Sequence, residues 1–114
     1  MKYQDLDVWK GSVDLTVDLY KHFESSKEWG FRDQITRSAL SIPSNIAEGL
    51  ERTSQKEKAR FLDIAKGSAG ELMTQLIIAE RISYISQNQA GRWKQECREI
   101  AAMLAGLSKH LTSN

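Results

Sequence analysis

The stretch Ser38-Ala-Leu-Ser-Ile-Pro-Ser-Asn-Ile-Ala-Glu-Gly49 decides the fold of this 114-residue chain. Its apolar residues recur at three- and four-residue steps, which places them on one face of a helix. That face consists of Ile35, Ala39, Ile42 and Ile46. The stretch also contains Pro43, the one proline of the sequence. Because proline lacks an N–H and its ring crowds the preceding turn, the pattern predicts a helix that kinks at this position.

A line of polar side chains accompanies the apolar face, and two residues of a later helix complete it. We call this set the polar seam: Gln34, Arg37, Ser41, Asn45, Glu48, Ser68 and Glu71. One interpretation is a hydrogen-bonded seam that fixes helix register or a subunit interface, with Glu71 as a partner for Arg37. The other is a ligand or active site at the proline. We favour the first interpretation, because polar groups at a bundle interface must be paired in any case.

Three further stretches have helical spacing, and no stretch alternates like a strand. Asp5 or Asp7 can cap the first helix, whereas Ser54-Gln-Lys-Glu57 and Ser86-Gln-Asn-Gln89 match the capping box. Gly49 stands where the second helix would stop. The predicted helices cover approximately residues 5–25, 31–50, 54–85 and 88–111. The prediction is one all-α domain over residues 1–114, an antiparallel up-down-up-down four-helix bundle with a kink at Pro43.

The first and third helices have more apolar surface than a single bundle needs. On the first helix, one apolar line runs from Leu6 through Val17 and Tyr20 to Phe23, and Val8, Leu15 and Leu19 form another. The third helix adds isoleucines on a second flank, and its two mid-helix glycines, Gly67 and Gly70, favour close approach of another backbone. A monomer would leave this apolar surface exposed, so the pattern predicts a homo-oligomer.

Composition and charge limit the classes of function. The chain is 40% hydrophobic and 27% charged with a net charge of +1, which is ordinary globular composition and not the strongly basic balance of a dedicated nucleic-acid binder. It shows no apolar signal segment and no run of about 20 apolar residues that could span a bilayer. We expect a cytoplasmic protein without membrane contact.

Side chains suited to catalysis or metal binding are few. Neither histidine, His22 or His110, has a glutamate three residues before it, so the paired motif of a di-iron bundle is missing. Cys97, the one cysteine, falls on the core stripe of the fourth helix, where we expect a small buried hydrophobe. No glycine loop precedes a helix to hold phosphate. The sequence therefore predicts no catalytic residue, no metal and no cofactor, and the protein is not expected to be an enzyme.

Basic residues occur in two clusters without interleaved aromatic residues. They are Arg52, Lys56, Lys58 and Arg60 near the start of the third helix, and Arg92, Lys94 and Arg98 near the start of the fourth. The simpler interpretation is a solvated surface. In the alternative, oligomerisation gathers the clusters into a ring that binds phosphate backbone.

Several motifs together resemble a known family. They are Leu6-Asp-Val-Trp9, the run from Gln34 to Gly49, Phe61-Leu-Asp-Ile-Ala-Lys-Gly-Ser68, and Glu71-Leu72. They are similar to the proteins encoded by intervening sequences of bacterial 23S ribosomal RNA genes, the S23 family. A relative of that family is the accessory variability protein of diversity-generating retroelements, which binds nucleic acid through a basic surface.

The resemblance implies a cytosolic four-helix bundle that assembles as a homopentamer, with no family catalytic residues. We therefore expect a non-enzymatic homo-oligomeric scaffold or adaptor that contacts a protein or nucleic acid. The alternatives are a weak, salt-dependent RNA or DNA binder that uses the basic clusters and, from another class, an enzyme at the kinked second helix.

Overall fold

The computed structural model describes residues 2–112, and this part of the chain contains four α-helices and no strand. The helices are α1 (Asp7–Phe23), α2 (Trp29–Leu50), α3 (Gln55–Arg81) and α4 (Gln87–Thr112), preceded by a 3-10 turn at Tyr3–Asp5. The predicted all-α bundle is confirmed. Positions 1, 113 and 114 lie outside the described part.

Each helix packs against two others. α1 and α3 both contact α2 and α4. Contacts pair rising residue numbers on one helix with falling numbers on the next, as in Ser38–Glu71 and Ser41–Ser68 between α2 and α3. Connections of four or five residues join consecutive helices. α2 and α3 are therefore antiparallel, while the up-down-up-down course of the whole bundle stays a prediction. The bundle measures 46 × 21 × 20 Å.

Aliphatic side chains from all four helices fill one core. Each fully buried Leu or Ile contributes about 1.5–3 kcal/mol relative to an exposed position, so this core is the main source of stability. Its largest fully buried members are Trp93, Leu15, Leu19, Ile35, Ile42, Ile46, Leu62, Leu72, Leu76, Ile100 and Leu104.

The inner face of α1 is the second of the two apolar lines predicted for this helix. Val8, Leu15 and Leu19 are buried there, together with the hydroxyls of Ser12 and Thr16, whereas Val17 and Tyr20 remain 43% and 45% exposed. Helical spacing shows which residues share a face, but two apolar faces of one helix compete for the core. Most of the longer line stays outside the core because α2 and α4 pack on the other side of α1, and only Phe23 at its end is buried.

Two helix ends differ from the prediction. α1 begins after Leu6, whose side chain cannot cap, so neither Asp5 nor Asp7 is the cap residue. α3 ends at Arg81 rather than near residue 85, because Ser83 adopts a left-handed conformation (φ 64°). The N–H of Tyr84 then donates to Ala79 O at 2.8 Å, which satisfies a free carbonyl at the helix end. A serine in this conformation is uncommon, and so the sequence did not reveal the stop.

Both predicted capping serines are in place. Ser54 Oγ accepts from Glu57 N at 3.1 Å, although the Glu57 carboxylate pairs with Arg60 instead of returning to the Ser54 N–H. The box at the start of α4 is complete, because Ser86 N donates to Gln89 Oε1 and Gln89 N donates to Ser86 Oγ.

α2 keeps its helical assignment on both sides of the buried Pro43, and the kink there stays a prediction. Gly49 does not end α2; it lies one residue inside the helix and packs against α3. A Cβ at Gly49 would lie 2.7 Å from Phe61 Cβ. No described atom lies within 4 Å of a Cβ placed on Gly67 or Gly70, so the close approach predicted there is wrong within the chain.

Replacing Gly49 by Ala should lower the free energy of unfolding by about 1–3 kcal/mol, because the new methyl group overlaps an atom next to the α3 backbone. Gly70→Ala is the matched control. It fills open space in a helix interior and should raise stability by about 0.5–1 kcal/mol. Urea unfolding of both variants measures the difference. Equal effects would show that α2 and α3 are not in such close contact.

Candidate functional site

The polar seam forms a direct hydrogen-bonded link between α2 and α3. Ser41 Oγ lies 2.8 Å from Ser68 Oγ across the helix interface. Asn45 Nδ2 donates to Ser41 O at 2.8 Å and to Ser41 Oγ at 2.9 Å. The Ser41 hydroxyl thus has two hydrogen-bond partners, Ser68 on α3 and Asn45 on its own helix.

A second link lies one helical turn away, where Ser38 Oγ donates to Glu71 Oε1 at 2.6 Å. Ser38 is buried, and its hydroxyl also approaches Gln34 O at 3.0 Å within α2. A hydroxyl–carboxylate bond of this length is charge-assisted and stronger than a neutral one. Ser38, which is not a member of the predicted seam, is therefore the Glu71 partner. The predicted Glu71–Arg37 pair is not formed among residues 2–112.

Three predicted members of the seam lie elsewhere. The Gln34 side chain is exposed, and Glu48 pairs with Arg52 at 2.5 Å. Arg37 faces a groove of about 520 Å³ between α1 and α2. Arg37, Asn45 and Glu48 thus point to three different environments. The convergent pocket that an active site at the proline would require is absent from the described part of the chain.

The first basic cluster surrounds an aromatic ring. The guanidinium carbons of Arg52 and Arg60 lie 4.9 Å and 5.5 Å from the centre of the Phe61 ring. The expectation that these cations lack an interleaved aromatic residue is therefore wrong. The Phe61 ring is half-buried near the start of α3, and no local pattern predicts its contact with the two arginines. Glu48 and Glu57 pair with the two arginines, while Lys56 and Lys58 have no ion pair within residues 2–112.

The second basic cluster faces carboxylates. Lys94 Nζ lies 2.9 Å from Glu80 Oε1, and Arg92 reaches Asp18 at 4.0 Å and stacks near Trp93. Burial raises the pKa of the neighbouring Glu96, Asp18 adds to that rise, and Arg92 opposes it. The Arg98 guanidinium donates to the side-chain oxygen of Gln95, on the same helix, at 3.1 Å.

The structure does not bring the two basic clusters together within one chain. They lie near opposite ends of α3, and the twenty residues from Arg60 to Glu80 span about 30 Å of helix.

Cys97 and His22 are both engaged inside the bundle. Cys97 is 1% exposed, as predicted for a small buried hydrophobe, and its Sγ donates to Ala69 O at 3.1 Å. Burial raises the pKa of this thiol to about 11, so it stays protonated at neutral pH and is a poor nucleophile. His22 Nε2 donates to Tyr84 O at 3.0 Å, and its Nδ1 accepts from Gln89 at 3.3 Å. No spacing rule predicts this histidine contact from the sequence.

Residues 2–112 offer no candidate for a metal site or a membrane span. No three His, Cys, Asp or Glu side chains of this part are grouped as ligands for a metal ion. None of its helices combines the length and apolar character that a bilayer crossing requires. The cytoplasmic location stays a prediction.

A sequence model of one family, described as 23S rRNA-intervening sequence protein, matches residues 4–106. The chain belongs to this family. Its fold is similar to the crystal structure, at 1.70 Å resolution, of a protein with unknown function from the S23 ribosomal protein family of Bacteroides thetaiotaomicron VPI-5482. The two chains are 29% identical with a TM-score of 0.84, and the match covers 90% of this chain and 98% of the other. No curated protein matches this sequence.

The family assignment confirms the resemblance found in the sequence. All the motifs that carried it lie inside the matched range of the 23S rRNA-intervening sequence family. Neither the family description nor the similar structure indicates an enzymatic activity. In this family member, the residues around Pro43 join α2 to α3, which is the structural role that we favour for them.

Ser41→Ala and Ser68→Ala should each lower the free energy of unfolding by about 1 kcal/mol, because each removes one partner of the same interhelix bond. The double variant should lose less than the sum of the two, since the bond can be broken only once. Urea unfolding of the four proteins completes the cycle. Ser44→Ala, an exposed serine of α2, is the control and should change stability by less than about 0.5 kcal/mol. Strictly additive losses would contradict a direct link.

Proposed function

We propose that this 23S rRNA-intervening sequence family member is a non-enzymatic homo-oligomeric scaffold or adaptor, with a pentamer as its assembled state. The observation that carries the proposal is the large apolar surface left outside the bundle. Eight aliphatic or aromatic side chains on α1, on α2, and on or directly after α3 remain at least two-fifths exposed: Val17, Tyr20, Trp29, Leu40, Ile64, Ile77, Ile78 and Ile82.

This exposed surface is organised. Single exposed apolar residues are normal on any protein, but contiguous apolar patches on monomers rarely exceed a few hundred Å². Here the residues recur at helical spacing along two faces, because Val17 and Tyr20 share one side of α1 and Ile64, Ile78 and Ile82 share one side of α3. Covering both faces in an assembly removes the apolar surface from water. The subunit number of five rests on the family resemblance.

A scaffold role also agrees with the chemistry of the polar side chains. The hydroxyls of the seam are used between α2 and α3, and Cys97 and His22 are held inside the bundle. These hydroxyl, thiol and imidazole groups therefore serve packing. What remains available on the surface is area for contact with other chains.

Size-exclusion chromatography with light scattering should give a mass of about 65 kDa at micromolar concentration, from five chains of 12.9 kDa. The mass should stay unchanged in 1 M NaCl, because the interface is expected to be mainly apolar. A mass of 12.9 kDa at the same concentration would overturn the proposal. A different multiple would keep the oligomer and exclude the pentamer.

One observation favours a second function, the binding of nucleic acid backbone. Arg52, Phe61 and Arg60 form a stacked group at the start of α3, and Lys56 and Lys58 stand unpaired within the described residues beside it. Aromatic rings and guanidinium planes can stack on bases, while lysines contact phosphates. Glu48 and Glu57 reduce the local positive charge, so we expect weak binding.

If this second function is correct, Lys56→Glu with Lys58→Glu should abolish the binding of fluorescein-labelled single-stranded RNA measured by anisotropy. Wild-type affinity should fall steeply between 50 and 200 mM salt, because cation–phosphate contacts release counterions. Lys27→Glu with Arg81→Glu makes the same change in net charge at the opposite end of the bundle and is the matched control. Binding that neither salt nor the first pair affects would exclude phosphate contacts at this end.

A further inference from the structure

A groove between α1 and α2 combines apolar walls with unused positive charge. Tyr20 and Leu40 line it with their exposed side chains, and the groove has a volume of about 520 Å³. Lys21 and Arg37 also line it, and neither forms a hydrogen bond or ion pair with any residue among 2–112. Arg32, the third cation, pairs with the adjacent Asp33 at 3.5 Å. Glu24 also lines the groove, so its charged side chains together carry a net charge of +1, and the groove favours a ligand with an apolar surface and one negative charge.

A ridge on α3 has the complementary properties. We call Ile64, Ile78 and Ile82 the isoleucine stripe; all three are exposed and lie on one side of the helix. Glu71 stands midway, seven residues from Ile64 and seven from Ile78, and its carboxylate is exposed. Its described bond is from Ser38 to Oε1, which leaves Oε2 for another donor. The stripe is thus a convex apolar ridge with a carboxylate at its centre.

We propose that the isoleucine stripe of one copy of this chain docks in the α1/α2 groove of the next copy. Two different faces then meet at every contact, which is a head-to-tail interface, and the copies close into a ring. This inference rests on the proposed homo-oligomer and names the two faces that build it. In the contact, Arg37 of the groove pairs with the neighbour's Glu71, and Tyr20 and Leu40 cover the isoleucines.

The heights of the groups along the bundle agree with this pairing. Ser38 of α2 is level with Glu71 of α3, and Ser41 is level with Ser68. Arg37 therefore lies level with residue 72, next to Glu71. Asp33, at the other end of the groove, lies level with residue 76, two residues from Ile78. In a ring whose axis runs parallel to the helices, all copies lie at the same position along that axis. The groove of one copy therefore faces Glu71 and Ile78 of its neighbour.

The positions of the two faces explain why a ring forms rather than a filament. Ser68 and Glu71 face α2 and lie between the isoleucines, so the stripe lies on the α2 side of α3. The groove lies on the other flank of α2. The two faces are therefore adjacent sides of the bundle that share α2. Head-to-tail contact between adjacent sides turns each copy relative to the last and closes, whereas contact between opposite sides continues without end.

The stripe is long enough for a stable contact. From Ile64 to Ile82 it covers about 27 Å of helix, most of the length of α2. Trp9 and Val13 continue the apolar face of α1 beyond the groove, at the height of Ile64. A flat contact of this length across the 20 Å width of the bundle covers about 540 Å², two-thirds of the roughly 800 Å² per partner that specific interfaces bury, and the relief of the side chains adds to the flat area.

The first test uses two neighbouring isoleucines of α3 as a matched pair. Ile78 and Ile77 are 44% and 42% exposed, but they point about 100° apart around the helix, and the stripe contains Ile78 alone. Ile78→Asp should reduce the assembly to monomers in light scattering at 10 µM, and Ile77→Asp should leave its mass unchanged. Circular dichroism confirms that both variants remain helical. Loss of assembly in both variants, or in neither, would overturn the assignment of the stripe.

The second test distinguishes head-to-tail from two-fold contact. A double variant, Asp33→Cys with Ile78→Cys, should give a ladder of covalent oligomers with a flexible bis-maleimide, and each single variant should remain monomeric on a denaturing gel. The native Cys97 is buried and should not react. A covalent dimer from either single variant alone would show a two-fold interface and overturn the head-to-tail ring.

The results separate this inference from the function on which it rests. A monomeric wild-type protein would overturn both the proposed oligomeric scaffold and the pairing of groove with stripe. An oligomeric wild-type protein whose double cysteine variant gives no ladder would keep the scaffold and remove the pairing of groove with stripe.

Discussion

The structure depends on the close antiparallel contact between α2 and α3. Ser38, Ser41, Asn45 and Gly49 recur at steps of three, four and four along α2, so all four point at α3. The first three contribute hydrogen bonds. Because Gly49 has no Cβ, Phe61 packs into the space that a methyl group would occupy. Because each of these residues is small or short, the two helices approach closely along most of the length of α2.

The polar links and the apolar core have different effects on this contact. One buried Leu or Ile contributes more than a hydrogen bond, whose net value is about 1 kcal/mol, so the core supplies most of the stability. A slip of α3 by one turn would still bury aliphatic side chains, but it would separate Ser38 from Glu71 and Ser41 from Ser68 and leave them unpaired. The cost of unpaired buried groups therefore fixes the register that the core alone would leave open.

Helical spacing was sufficient to predict the four helices, the buried Cys97 and most of the polar link, because these depend on periodicity within one helix. It was insufficient wherever two helices compete or meet. Val17 belongs to the longer apolar line of α1 but is exposed. The Phe61 ring contacts two arginines, and Arg37 faces the groove instead of pairing with Glu71. Each of these outcomes depends on the direction of a neighbouring helix, which no local pattern specifies.

The distribution of charge connects the two proposed functions. Some cations on the sides of the bundle, such as Arg92 and Lys94, are paired with carboxylates of the same chain, whereas Lys21 and Arg37 line the groove and Lys56 and Lys58 stand at one end without an ion pair among residues 2–112. A ring built through side faces leaves the ends of every bundle uncovered. Since all copies then point the same way, the ring would repeat the cluster around Phe61 along one rim. Binding too weak for one chain would gain strength there from several simultaneous contacts, so a nearly neutral chain could act on nucleic acid only as an assembly.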